Sequence, residues 1–199
     1  MKMKKVLVTS ISVLALAGSA LAIAGNRPGA FSVRLGEGYE FFAQKRHIEN
    51  TSTPNIELGY DFNNRWGIMA GAYLINTDTK DATPNQGVHG FQYFVDGVYR
   101  FNTYGNFAPY ALGGIGVTSL KPSGSNPTDQ INVNLGIGAD YFIADSIALG
   151  ADVRDLYTLS GGKNDVLLTV GIKFLIGGNN PKPIYKDENM KDMPRRHHH

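Results

Sequence analysis

From Val166 to Phe174 the chain alternates without a break. Val166, Leu168, Val170, Ile172 and Phe174 share one parity, and Leu167, Thr169, Gly171 and Lys173 the other. A side-chain period of two belongs to an extended strand with one apolar and one mixed face. Gly177, Gly178, Asn179, Asn180 and Pro181 end the run. One strand cannot cover its own apolar face, so the residues upstream must supply a sheet for it to join.

They do so seven times. The first strand runs from about Ala30 to Phe42, with Phe31, Val33, Leu35, Tyr39 and Phe41 on one face. Glu37 is the misfit on that parity. The second sets Ile56, Leu58, Tyr60 and Phe62 against Asn55, Glu57, Gly59 and Asp61. Asn63-Asn64 reads as a tight turn, because Asn tolerates positive φ. The third sets Trp66, Ile68, Ala70, Ala72 and Leu74 against Arg65, Gly67, Met69, Gly71 and Tyr73. In the fourth, Phe91, Tyr93, Val95, Tyr99 and Phe101 face away from Gln92, Phe94, Asp96, Val98 and Arg100. The fifth, Phe107 to Thr118, is glycine-rich, with Pro109 near its start. The sixth, Ile131 to Tyr141, is the cleanest, and the seventh spans Ile147 to Arg154. Eight strands of about ten residues are long enough to cross a bilayer at a tilt. The connections Gln44–Thr53, Thr77–Val88, Ser119–Thr128 and Leu159–Asn164 read as long, and those between them as short. The expected fold is all-β: an eight-stranded antiparallel up-and-down transmembrane β-barrel.

Alternation alone does not say which face is wet, and a soluble secreted barrel with an apolar core is the rival. Three features favour an apolar exterior. The polar face is poor in Lys and rich in Gly36, Gly38, Gly59, Gly136, Gly138, Gly150, Asn132 and Asn134, which suit a narrow interior. Aromatic residues crowd the strand ends: Tyr60, Phe62, Trp66, Tyr99, Phe101, Phe107, Tyr141 and Phe174 near the short turns, and Tyr39, Phe41, Phe91 and Tyr93 near the long ones. Two such belts suit two membrane interfaces, although cross-strand packing also gathers rings. Finally, Arg34, Glu40, Glu57, Arg65, Asp96, Arg100, Asp140, Asp152, Arg154 and Lys173 place both signs of charge on the polar face, where they can pair as an interior network and candidate gate.

Residues 1–24 stand apart. Lys2, Lys4 and Lys5 precede an apolar run from Val6 to Leu16 and small-residue cleavage sites at 20–24, the pattern of a secretory signal peptide. A transmembrane anchor is the competing reading, but the run is short for a span of about 20 residues. Without those lysines the balance is 19 − 3 = 16 basic against 17 acidic residues, so the charge gives no reason to expect a nucleic-acid partner. With no cysteine in the chain, there is no disulfide, thiolate metal site or lipid-anchor cysteine. The barrel is expected over residues 25–176. Residues 177–199 read as a polar tail, with 197–199 a tag remnant.

The alternating strands, the Tyr99-Arg100-Phe101 strand end, the Pro109-Tyr110 to Gly116 stretch and the closing Val166–Phe174 strand together resemble the OmpA-type transmembrane domain and its eight-strand relatives, over roughly Ala30 to Leu175. The resemblance implies an integral outer-membrane protein in contact with lipid and lipopolysaccharide. It implies that the barrel-assembly machinery reads the strand ending in Phe174. OmpA-type chains commonly continue into a peptidoglycan-binding domain; only a short tail follows here. No enzyme is expected. His47 and His89 fall in expected loops without serine and acid partners in a recognisable pattern, His47 with Glu49 is too small a set for a metal, and Gly114-x-Gly116 and Gly136-x-Gly138 precede no helix that would make them dinucleotide motifs. No cofactor is expected. The expected role is structural support of the envelope with surface loops on display. The alternatives are an adhesin binding an external ligand through its four long loops, or a narrow ion channel gated by the interior charges.

Overall fold

A computed structural model describes residues 27–80, 86–124 and 126–179; the expected leader and the tail from residue 180 lie outside the described residues. Eight strands follow in order: β1 (Ala30–Phe41), β2 (Thr51–Asp61), β3 (Trp66–Asp78), β4 (Gly87–Arg100), β5 (Phe107–Pro122), β6 (Thr128–Ala144), β7 (Ile147–Thr158) and β8 (Lys163–Gly177). Each pairs antiparallel with the next, and β1 pairs with β8 to close the barrel.

The register determines its shape. From Phe31 the ladder leads through Tyr60, Ile68, Gly97, Gly113, Leu135, Asp155 and Val166 back to Phe41. One circuit therefore shifts the chain by 41 − 31 = 10 residues. Eight strands about 4.8 Å apart with that stagger tilt by roughly 40° and leave a backbone radius of about 8 Å. Such a lumen holds side chains and little else.

The faces sort as the alternation predicts. Leu135, Ile137 and Val170 lie 69%, 64% and 60% exposed on the outer wall, whereas Arg154, Glu57 and Asp96 are each 1% exposed. The polarity of the outer surface is that of a membrane barrel. Rings meet across strands in the belt near the short turns: Phe31 with Tyr60, and Trp66 edge-on to Tyr99, at centroid distances of 4.7 and 4.9 Å.

Several strands run further than the apolar pattern does. β5 continues to Pro122, β6 starts at Thr128, and β3 and β4 pair as far as Asp78 and Gly87. The outward residues there are Asn76, His89, Lys121 and Asp129, so the apolar signal stops before the backbone ladder stops. His89 therefore sits on β4 rather than in a loop, with Nδ1 2.7 Å from Asn76 Oδ1. The connections shorten to 42–50, 79–86, 123–127 and 159–162 at one end, and 62–65, 101–106 and 145–146 at the other. The expected contrast is correspondingly weaker: 159–162 is no longer than 62–65, and 123–127 is shorter than 101–106. The Asn63 turn forms differently from expectation. Its φ is not positive; instead its Oδ1 accepts the amides of Arg65 and Trp66 at 2.8 and 2.9 Å, an Asx-type closure.

One ladder is incomplete. The β2–β3 pairing ends at Asn55–Tyr73, although both strands continue toward the mouth. Pro54, the next residue on β2, has no amide hydrogen to give. Hydroxyls bridge the gap: Thr51 Oγ1 donates to the Asn76 carbonyl and Thr77 Oγ1 to the Glu49 carbonyl, each at 2.6 Å.

Candidate functional site: the lumen and its mouth

The inward residues of all eight strands meet in the lumen. Arg154, from β7, is the hub. It donates from Nη1 to Asp96 and from Nη2 to Glu57, both at 2.7 Å, and from Nε to Asp152 at 2.9 Å. Its guanidinium also lies 5.8 Å from the Tyr73 ring centroid and 5.7 Å from that of Phe94. Arg34, from β1, bonds Glu57 and Asp152 as well. Tyr110 accepts from Arg34 Nη1 at 3.0 Å and reaches Asp152 Oδ2 at 3.1 Å. Tyr73 donates to Glu57, and Asn134 to Asp96 at 2.8 Å. Nearly every oxygen of the three carboxylates is engaged, the arrangement that keeps buried ions tolerable.

A second group lies nearer the short turns. Arg100 donates to Asp61 at 2.7 Å and approaches Asp140 at 3.5 Å, while Lys173 donates to Asp140 at 2.6 Å. Of the ten expected network residues, nine are buried in the lumen. Arg65 is not among them: it lies exposed in the 62–65 turn, with Nη1 2.8 Å from Tyr99 Oη, because β3 begins one residue later, at Trp66. Asp61 belongs to the network and was not expected. Its parity with Glu57 on β2 was the available signal.

Apolar layers separate the ionic ones, which the glycine-and-amide picture of the interior lacked. Tyr73, Phe94, Leu156 and Leu167 form one, and Val98, Tyr110 and Leu112 with Met69 another. Ala30, Ala108, Phe142, Ala148 and Leu175 close the end with the short turns. In the midst of the lumen, the cavity lined by Arg34, Glu57, Met69, Arg100, Tyr110 and Lys173 measures about 10 Å³, room for about one water.

The opposite end is plugged from the 42–50 connection. A short 3₁₀ turn, Gln44–Arg46, ends at His47 with φ 55°. Arg46 turns inward and donates to Asp165 at 2.6 Å, to Gln130 at 2.7 Å and to Thr158 at 2.8 Å. Around it, Phe42, Ile48, Ile75 and Val88 pack with Leu120 into an apolar seal. Neither Arg46 nor Asp165 was expected at a site. Asp165 shares the inward parity of Lys173, whereas nothing local marks Arg46 as a plug. Beside it, Arg46, His47, Ile48, Thr79, Val88, Leu120 and Pro122 line an open groove of about 600 Å³.

Among the described residues no group of three or more His, Cys, Asp or Glu side chains is placed to hold a metal, and no helix is long and apolar enough to cross a membrane. Residues 10–174 match the family described as outer membrane protein beta-barrel domain. Among solved structures, the outer membrane protein OprG of Pseudomonas aeruginosa superposes with a TM-score of 0.60 at 14% identity, over 77% of this chain and 99% of its own. The N-terminal β-barrel domain of OprF from the same organism gives 0.54 at 18%, over 75% and 100%. Ail of Yersinia pestis, in complex with the heparin analogue sucrose octasulfate, gives 0.54 at 16%, over 75% and 99%. Among curated proteins, none matches.

Proposed function

Because the chain belongs to the outer membrane protein beta-barrel domain family, and is thus an integral outer-membrane barrel, we propose that it serves as a structural, solute-tight barrel of OmpA-like type. It supports the envelope and holds its 42–50, 79–86, 123–127 and 159–162 connections at the surface. One observation carries this reading: the lumen is closed in depth. Charged layers alternate with apolar ones, the residual central cavity is about 10 Å³, and the mouth is sealed by Arg46 and the Phe42–Ile48 cluster. An ion crossing it would have to displace several buried pairs at once, each costly to break. The reading is non-enzymatic: among the described lumen residues, the Tyr73 and Tyr110 hydroxyls lie on carboxylates that Arg154 and Arg34 already neutralise.

Planar-bilayer recording of the refolded protein tests it. The expected trace has no conductance steps, for the wild type and for Arg100→Ala alike. Regular steps in the wild type overturn the solute-tight reading in favour of a gated channel.

The mouth groove favours a second reading, surface binding. It is concave and open, Arg46 lines it, and the exposed Lys45, Lys80 and Lys121 each adjoin one of its lining residues in sequence, a chemistry suited to an anionic ligand, and Ail carries a sulfated analogue in its complex. Exchanging the four surface connections while keeping the strands should abolish binding to sulfated glycan and leave insertion intact. Unchanged binding removes this reading.

A further inference from the structure

Glu37, the misfit of β1, lies exposed on the outer wall. Its cross-strand neighbours there are Pro54 and Val170, and neither side chain can donate a hydrogen bond. Along the apolar stretches of that wall one other described residue carries a charge, Asp155. The two differ in depth. Asp155 shares a row of the ladder with Val166 and Phe41, at the belt near the long connections. Glu37 sits two outward rows lower, about 10 Å deeper along the barrel axis at a tilt of roughly 40°. Asp155 can meet water at the interface. A carboxylate at the depth of Glu37 faces acyl chains, where a charge is costly without a partner.

Glu37 also closes one end of a furrow. Glu37, Val170, Ala151, Ala139 and Pro109 stand side by side on β1, β8, β7, β6 and β5. Apart from the glutamate, none is larger than valine. The row on the short-turn side is bulky, with Leu35, Ile172, Leu149, Tyr141 and Phe107. So is the row on the other side, with Tyr39, Leu168, Val153 and Ile137. Small side chains between two bulky rows leave a trough. Two outer grooves, of about 810 and 590 Å³, share Ala151 and Val170; the first reaches Glu37 and the second Pro109. Together they make one furrow, four inter-strand steps of about 4.8 Å or about 19 Å long. An acyl chain spans half of the hydrocarbon core, about 15 Å, so one chain fits along the furrow with its head at Glu37.

We propose that this furrow is a lipid site, which seats one hydrocarbon chain and takes a primary ammonium headgroup on Glu37. The charge selects the head. A phosphate would be repelled and a hydroxyl would leave the carboxylate uncompensated, whereas an ammonium neutralises it and donates hydrogen bonds to it. A second copy of the barrel suits the furrow less well, because along its apolar stretches the described outer wall carries the acids Glu37 and Asp155 and no Lys or Arg.

The test uses the full chain, labelled at alanine methyls, refolded in an uncharged detergent at neutral pH and followed by NMR. Hexadecylamine, hexadecanol and hexadecyl phosphate are the probes. Hexadecylamine should shift the Ala139 and Ala151 methyls to saturation and leave Ala70 and Ala72, outward on β3, unmoved. The other two probes should bind about tenfold more weakly, the size of a lost charged hydrogen bond. Glu37→Gln should bring hexadecylamine down to the affinity of hexadecanol. Ala139→Leu, which raises the floor and keeps the carboxylate, should abolish the Ala151 shift. No shift with hexadecylamine, equal affinity for all three probes, or undiminished affinity in Glu37→Gln overturns the proposal and leaves the furrow as ordinary lipid-facing wall. Equal shifts at Ala70 and Ala72 overturn the assignment to the furrow. Shifts at Ala139 and Ala151 that grow with protein concentration and without any probe assign the furrow to contact between copies, and overturn it as well.

Discussion

Replacing Arg154 with Met tests whether the lumen is as dry as its geometry implies. The side chain is 1% exposed and makes three charged hydrogen bonds, to Asp96, Glu57 and Asp152, at 2.7 to 2.9 Å. Methionine fills much of the same volume against Tyr73 and Phe94, so little cavity is created and the loss is mainly electrostatic. In the variant, Arg34 alone serves Glu57 and Asp152, and Asp96 keeps only Asn134. Breaking a buried pair by removing one partner costs about 3–5 kcal/mol, and that is the expected drop in unfolding free energy, read from urea titration in lipid vesicles with heat-modifiable gel migration as the folded signal. Adding Asp96→Asn removes one of the stranded charges and should recover about half of the loss. A drop below about 1 kcal/mol, or no recovery in the double variant, refutes the reasoning: it would mean that water enters and solvates the carboxylates as Arg154 leaves.

Four further substitutions test other parts of the barrel. Leu135→Arg, on the outer wall near the middle of β6, should cost about 2–4 kcal/mol in a bilayer, measured by the same titration; an unchanged value would mean that this face does not meet lipid. Gly138→Ala should cost about 1–3 kcal/mol, because its Cβ would lie 2.6 Å from both the Ala151 carbonyl and the Tyr110 ring. Gly97→Ala, with only the Gly113 carbonyl at 3.8 Å, should stabilise by about 0.4–1 kcal/mol through the unfolded chain, and equal effects at the two sites would contradict the packing. Arg46→Ala should release the 42–50 connection, raising the rate of protease nicking there while the heat-shifted band is retained; undiminished protection would mean that the apolar seal holds the plug alone.

Much of this architecture can be read from residue order. In β6 the parity of Ile131 to Tyr141 separates the lipid face from Asn132, Asn134 and Asp140 without help from any other strand. Buried pairing is harder to read, because partners come from across the barrel. Arg154 and Asp96 are 58 residues apart, and only the stagger of the ladder brings them level. Parity also places Tyr73 and Phe94 inward, yet as members of a glycine-rich and a charged face they do not declare that they meet edge-to-face at 5.3 Å in an apolar layer. Strand ends are obscured for a simple reason: backbone pairing continues past the lipid boundary, where Asn76, His89 and Lys121 no longer alternate in polarity. Arg46 is the least visible of all, since a loop arginine that folds back into a lumen has the same local sequence as one that points to solvent.

The closing contact joins Ala30–Phe41 to Val166–Gly177, the first strand to the last. During synthesis β1 emerges early and must wait for almost the whole chain before its second neighbour exists. Until then both outer strands of every partial sheet carry free amides and carbonyls, a template for aggregation. The molecule therefore has no stable halfway form in water. It is exposed to pairing with its own copies until its two ends meet and the wall is finished.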